Sequence, residues 1–333
     1  MRNWAIDLLR CPQTGLILKL KNHRYEGEHI MEGVLVSENN IEYPIVNGVP
    51  RLILDFQNRK ETKTAKAFGE EWAIFNKSTG YLGSKELFFD FMRGLNAGDF
   101  KNKLVLDAGC GNGRWTKVIS EFNCKYIVAM DFSDSVDFCF RNTRDCDNVV
   151  VVQGSIYNPP LPTGKFDLAL SIGVVDHLLD PQKGLEVLKS LLHKDGELAF
   201  WVYALEGNEL YLKLAKPLRV ISTKLPRKML LAISLILSLP VWFHSHTLNK
   251  KFGFNKNGNV CLPMADYFSF LENFKYIDIV NIAYDQLTPA LAHYIPKDTL
   301  IDWLNEAGLE VKNFVFRNRN SFSVLTKPLD KNE

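Results

Sequence analysis

No CxxC pair occurs among the six cysteines, Cys11, Cys110, Cys124, Cys139, Cys146 and Cys261, nor any other spacing that metal ligation uses. Scattered thiols of this kind read as reduced cysteines of a cytoplasmic protein, with no metal expected. No internal repeat and no low-complexity tract interrupts the chain, which excludes a solenoid or a linker-rich array. Excess charge is also scarce. A formal net charge of +2 and a pI near 8.1 leave no dense basic surface, so no nucleic-acid partner is expected. The N-terminal stretch MRNWAIDLLRCPQTG carries Arg2, Asp7 and Arg10 within its apolar part and makes no signal peptide. What remains is an ordinary globular composition: 333 residues, 46% hydrophobic and 23% charged, enough for one large domain with additions.

Five segments follow from the patterning. Residues 1–56 alternate short apolar runs with turns, punctuated by Gly15, Gly27, Gly33 and NGVP, and read as a small β-rich unit. Residues 57–102 read as a helical segment, with Phe68, Trp72 and Phe75 on one face. From 103 to 203 apolar strands alternate with helices, the pattern of a parallel sheet covered on both faces. The stretch 204–290 is a less regular insertion. In 291–333 a helix begins after Pro296 and ends at Gly308, and two strands then close the chain as a hairpin.

The chemistry concentrates in LVLDAGCGNGRWTKVI, residues 104–119. Gly109, Gly111 and Gly113 fall where the first parallel strand turns into its helix, the edge at which such sheets bind ligands. Glycine there permits positive φ and close approach of a bound molecule. The following helix start offers free N–H groups to an anionic group. A dinucleotide fingerprint would need glycine where Arg114 stands, and no Gly-Lys-Ser/Thr follows for a phosphate loop.

The run Asp107 to Gly113, D-x-G-x-G-x-G, resembles the class I S-adenosylmethionine-dependent methyltransferases. The resemblance implies a Rossmann-like α/β fold. Its sheet would be seven-stranded and mostly parallel with a C-terminal antiparallel hairpin, flanked by the small β-rich unit and a helical lid. It implies S-adenosyl-L-methionine as cofactor, Asp107 ordering the loop and the cofactor's amino group, and Asp131, eighteen residues past Gly113, holding the ribose hydroxyls. Phe132 follows on the same edge. In VVVVQGSIYNPPLP, Ser155 stands at the usual acid position facing the adenine, and Ile156 packs on the ring. Ser171 on the fourth strand and Trp72 on the preceding helix complete the implied cofactor contacts.

Methyl transfer needs alignment, exclusion of water and sometimes a base. His177, in GVVDHLLD, is a candidate because histidine titrates near neutrality, with packing beside the cofactor as the alternative. Tyr203 and His293 are further candidates, Tyr203 equally readable as pocket wall. The insertion takes the place of a substrate lid. Its apolar run Met229–Phe243, broken by Pro240, is too short to span a membrane. It reads either as a buried lid helix or as an interfacial helix making peripheral contact with the inner face of the membrane through 219–243. The N-terminal unit resembles the zinc-ribbon-like domains that precede some methyltransferase cores. Only Cys11 of their four cysteines is present, so a metal-free remnant is expected. The leading expectation is a methyltransferase for a small, apolar or lipid-like acceptor. The alternatives are an RNA methyltransferase and an inactive binding protein of the same fold.

Overall fold

The computed structural model describes residues 1–54, 59–75, 80–254, 258, 260–288 and 291–329, so the boundaries expected at 56 and 290 lie outside the described residues. Among the described residues eleven strands form one sheet: β1 (Leu18–Glu26), β2 (His29–Ser37), β3 (Glu42–Val46), β4 (Val49–Leu52), β5 (Leu104–Ala108), β6 (Tyr126–Asp131), β7 (Val149–Gly154), β8 (Phe166–Ile172), β9 (Leu192–Tyr203), β10 (Leu309–Arg317) and β11 (Ser321–Pro328). Their order across the sheet is β1-β2-β3-β4-β7-β6-β5-β8-β9-β11-β10. The helices are α1 (Arg59–Ile74), α2 (Lys85–Phe91), α3 (Arg114–Ser120), α4 (Val136–Thr143), α5 (Pro181–Leu191), α6 (Glu209–Ser222), α7 (Arg227–Phe243), α8 (Lys250–Phe252), α9 (Ala265–Leu271), α10 (Tyr276–Leu287) and α11 (Lys297–Glu306).

The seven strands expected from the sequence are β5 to β11. The first five, β5 to β9, run parallel in the order third, second, first, fourth, fifth, and the β10–β11 hairpin joins β9 antiparallel. Strands β6 and β7 are apolar up to Asp131 and Gln153 near their carboxyl ends, as strands covered on both faces are, and β7 is buried throughout.

The N-terminal β-rich unit joins the core sheet. Its four strands form a meander whose last hairpin turns through Asn47 and Gly48, both at positive φ as a type I′ turn requires. Strand β4 then pairs parallel with β7, Arg51 against Gln153 and Leu52 against Gly154. Strand β7 would otherwise be the open edge of the core sheet, and covering that row of unpaired backbone groups is a physical reason for the fusion. Arg51 reinforces the seam, donating to Gln153 and forming an ion pair with Asp137 at 2.6 Å. Cys11 lies buried with its Sγ 3.2 Å from the Tyr43 hydroxyl, and among the described residues no His, Cys, Asp and Glu group has metal-ligating geometry.

The insertion is helical, as expected, but its apolar run is longer than the reading allowed, and of the two alternatives the buried lid helix does not hold. Pro240 does not break the helix. The chain continues through a π-helical turn, His244–Asn249, into α8, giving one helix over Arg227–Phe252 that is long and apolar enough to cross a membrane. A proline costs such a helix one hydrogen bond, and the π turn beyond it resets the register. The helix is also not buried, since only 22% of its most apolar window is covered.

Candidate active site

A cavity of about 340 Å³ opens at the carboxyl ends of β5 to β9, between the sheet edge, α1 and the lid helices α9 and α10. Its floor is the glycine loop. Gly109 and Gly111 line it, both at positive φ. A Cβ at Gly109 would sit 2.2 Å from the Val174 side chain, and one at Gly111 would sit 3.0 Å from the indole nitrogen of Trp72. Only glycine leaves this floor open. Gly113 serves differently: it lies off the wall, and a Cβ there would meet Cys139 Sγ at 2.8 Å, so it allows α3 to pack on α4.

Asp131 and Asp107 part company here. Asp131 lines the cavity, and its carboxylate accepts from the Gly111 N–H at 2.9 Å and from the Ser133 N–H and hydroxyl at 2.8 and 2.7 Å. The acid that ends β6 therefore also fixes the loop. Asp107 lies behind the wall, 2% exposed, accepting the Thr116 hydroxyl at 2.5 Å. Burial pushes its carboxyl up to about 6. It orders the start of α3 and does not face the cavity.

Phe132, Ser155, Ile156 and Trp72 line the cavity, with Trp72 laid over Gly111 from α1. Ser171 is fully buried off the wall, donating to the Ala108 carbonyl at 3.2 Å. His177 lines the cavity, and its Nδ1 lies 2.7 Å from the Leu291 carbonyl. A carbonyl can only accept, so Nδ1 carries the proton and Nε2 keeps its lone pair in the neutral ring. Asp176, fully buried with both carboxyl oxygens lacking a hydrogen bond, stands 4.0 Å from Nε2, and burial raises its pKa. His293 is not on the wall. Its backbone N–H donates to the Asp176 carbonyl and its Nε2 lies 3.0 Å from the Leu178 carbonyl, so it ties the loop after β8 to the segment before α11.

Tyr203 lines the cavity and is held by Gln286 of α10, whose amide nitrogen donates to the Tyr203 oxygen. The Gln286 carbonyl oxygen in turn accepts from Tyr211 at 2.8 Å, Tyr294 at 3.2 Å and Arg219 at 3.1 Å. Burial raises the Tyr203 phenol well above its ordinary range, so it remains a donor.

Four charged residues on the wall escaped the sequence reading: Glu71, Arg114, Asp285 and Arg317, the last of them ion-paired with Asp90. Glu71 is 1% exposed with an unpartnered carboxyl oxygen, and burial, then the neighbouring Asp285, raise its pKa. Burial likewise raises Asp285. Arg114 faces both acids, and desolvation lowers it to about 10, leaving it charged near neutral pH. Its Nε is buried without a partner. The only signal for Arg114 was its place directly after the loop. Glu71 and Asp285 lie in helices with no local motif, more than two hundred residues apart, and only folding joins them.

A methyltransferase domain family model matches residues 106–200. Among proteins of known name, the tRNA (carboxymethyluridine(34)-5-O)-methyltransferase of Saccharomyces cerevisiae is 34% identical over 104 residues, 30% of this chain and 36% of that protein. The tRNA U34 carboxymethyltransferase of Campylobacter fetus is 36% identical over 102 residues, with the same coverage of 30% and 36%. The chain thus spans little more than a third of the length of these relatives. Of solved structures, the DhpI–SAH complex superposes with a TM-score of 0.49 at 12% identity, covering 83% of this chain and all of the other. The relatives overturn one expectation. Near-neutral charge argued against nucleic acid, yet both named relatives are tRNA-modifying proteins by name. A net charge summed over a whole chain does not describe the field at one face. The family match runs through the glycine loop and the Asp131 edge, so residues 106–200 form a methyltransferase domain, and the strand order around them is that of the class I S-adenosylmethionine-dependent methyltransferase fold.

Proposed function

We propose that this chain transfers a methyl group from S-adenosylmethionine to a compact, largely apolar acceptor received in the cavity beneath the lid. The observation that carries the reading is the continuity of one cavity from Gly109, Gly111 and Asp131 to His177, Tyr203 and Asp285. The residues suit the cofactor. The glycine floor is a cradle that a Cβ would fill, Asp131 keeps carboxylate lone pairs on the wall, and the charged Arg114 stands at the loop's end with an unpaired Nε. Gly109, Gly111, Asp131, Ile156 and Arg114 would hold it. When bound, it supplies an electrophilic methyl group on a sulfonium.

The chain's own residues supply the rest. Trp72 over the loop, with α9 and α10 above, excludes water from the cavity. His177, with Nδ1 held by the Leu291 carbonyl, is the residue to take a proton from the acceptor through Nε2. Tyr203, with its oxygen already accepting from Gln286, has its own proton to donate to the acceptor. The two buried acids Glu71 and Asp285 stand beside Arg114 on the same wall, where their carboxyl groups can hydrogen-bond a polar group of the bound molecules.

A second reading is favoured by the names of the relatives: the group that enters the cavity is a modified base of a tRNA. The test is transfer of labelled methyl from S-adenosylmethionine into two cell extracts, total lipid with small metabolites and total tRNA. Label in the first that is lost in His177→Gln supports the leading reading. Label confined to tRNA replaces it with the second. Absence of transfer to either, with cofactor binding intact, refutes both.

A further inference from the structure

The lid carries a feature that the cavity does not use. From Leu210 to Ala265 the sequence has nine lysines and arginines and not one aspartate or glutamate, although the whole chain carries only +2. Among the described residues, fifteen of the twenty-three exposed large hydrophobic side chains also lie between Leu210 and Met264. They gather on the Arg227–Phe252 helix. Its packed stripe is Leu230, Ser234 and Ser238, spaced four apart, and α7 packs against α10. Ile236, by contrast, is 72% exposed and Leu239 58%.

An apolar surface of this extent on a folded domain meets a partner, a ligand or a membrane. The charge pattern selects among them. Exposed lysines flank the apolar length at both ends, Lys224 and Lys228 near its start and Lys250 and Lys251 at its end, and no described ion pair engages them. Arg227 is different, being tied to Glu70. An RNA would use the lysines and leave the leucines and isoleucine in water. A second copy of this chain would bring like charges together. A bilayer with anionic headgroups takes both, apolar side chains at the acyl boundary and lysines among the phosphates. The helix is also fastened lengthwise to its domain. Ser238 Oγ donates to the Ile279 carbonyl at 3.4 Å, and the Tyr276 hydroxyl donates to the Leu235 carbonyl. It therefore lies along the surface and does not leave the domain to span.

We propose that the Arg227–Phe252 helix and its flanking lysines seat this protein on an anionic membrane surface. The proposal uses no residue of the cavity and holds for either acceptor. The test is co-sedimentation of the full chain with vesicles of phosphatidylcholine alone and of phosphatidylcholine with phosphatidylglycerol, at low and high salt, with a tRNA mixture as competitor. Binding should require phosphatidylglycerol and weaken with salt. It should fall about fivefold for each lysine removed in Lys224→Ala/Lys228→Ala. Ile236→Glu should abolish it, while both variants, changed only at exposed positions, keep the thermal melt of the parent. No sedimentation with either vesicle overturns the proposal. So does lysine-dependent tRNA binding without vesicle binding, which would make this an RNA face. Self-association lost in Ile236→Glu, again without vesicle binding, would assign the surface to a second copy.

Discussion

Replacing Asp107 by asparagine tests the division of labour between the two acids of the site. The side chain is 2% exposed and its carboxyl is carried from 3.8 to about 6, chiefly by desolvation. In the unfolded chain the carboxyl ionises near its ordinary value, while in the fold it holds its proton to higher pH. The folded state therefore binds more protons between about pH 4 and 6, and stability falls as pH rises through that window. At about 1.4 kcal/mol per pH unit the full loss is about 3 kcal/mol, with no discount for solvent because the group is buried. Asp107→Asn keeps an oxygen to accept the Thr116 hydroxyl and removes the titration. Urea unfolding from pH 4 to 8 should show the variant and parent separated by a constant offset at the acid end. The variant should then gain up to about 3 kcal/mol on the parent by pH 7. S-adenosylhomocysteine affinity, measured by calorimetry, should change little, since Asp107 lies off the cavity wall. A stability difference that is flat with pH would refute the buried-carboxyl argument, and a large loss of affinity would refute the placement.

Asp131→Asn should do the reverse, weakening S-adenosylhomocysteine by about tenfold to a hundredfold as charge-assisted hydrogen bonds worth about 1.5–3 kcal/mol are lost; unchanged calorimetric affinity would remove Asp131 from the ribose site. Gly113→Ala places a Cβ 2.8 Å from Cys139 Sγ at φ +82 and should lower stability by about 1–3 kcal/mol while its folded fraction still binds cofactor, as melts and titrations of the same sample would show. His177→Gln should lower kcat by about a hundredfold or more with cofactor affinity retained, because a proton acceptor and not a binding contact is removed; a change confined to KM would contradict the role assigned to Nε2.

Sequence alone settled whatever depends on local pattern. The alternation of apolar runs and helices between 103 and 203 dictates a parallel sheet. Three glycines in five residues after a strand dictate a loop at positive φ, and an acid ends the next strand. These are short-range constraints of backbone and spacing, so they survive without knowledge of the fold. Tertiary structure decided what depends on burial and on distant partners. Asp107 and Asp131 both end a strand beside the loop, and only packing put one behind the wall and the other on it. Glu71, Arg114 and Asp285 acquire their shifted proton affinities from burial around a shared cavity that no segment contains by itself. The N-terminal strands could have closed on themselves, but β7 offered an open edge and β4 took it. In the lid, composition marked the Met229–Phe243 run as apolar. Whether it would be buried was a question of which face α10 could cover, and a single helix covers one stripe of another.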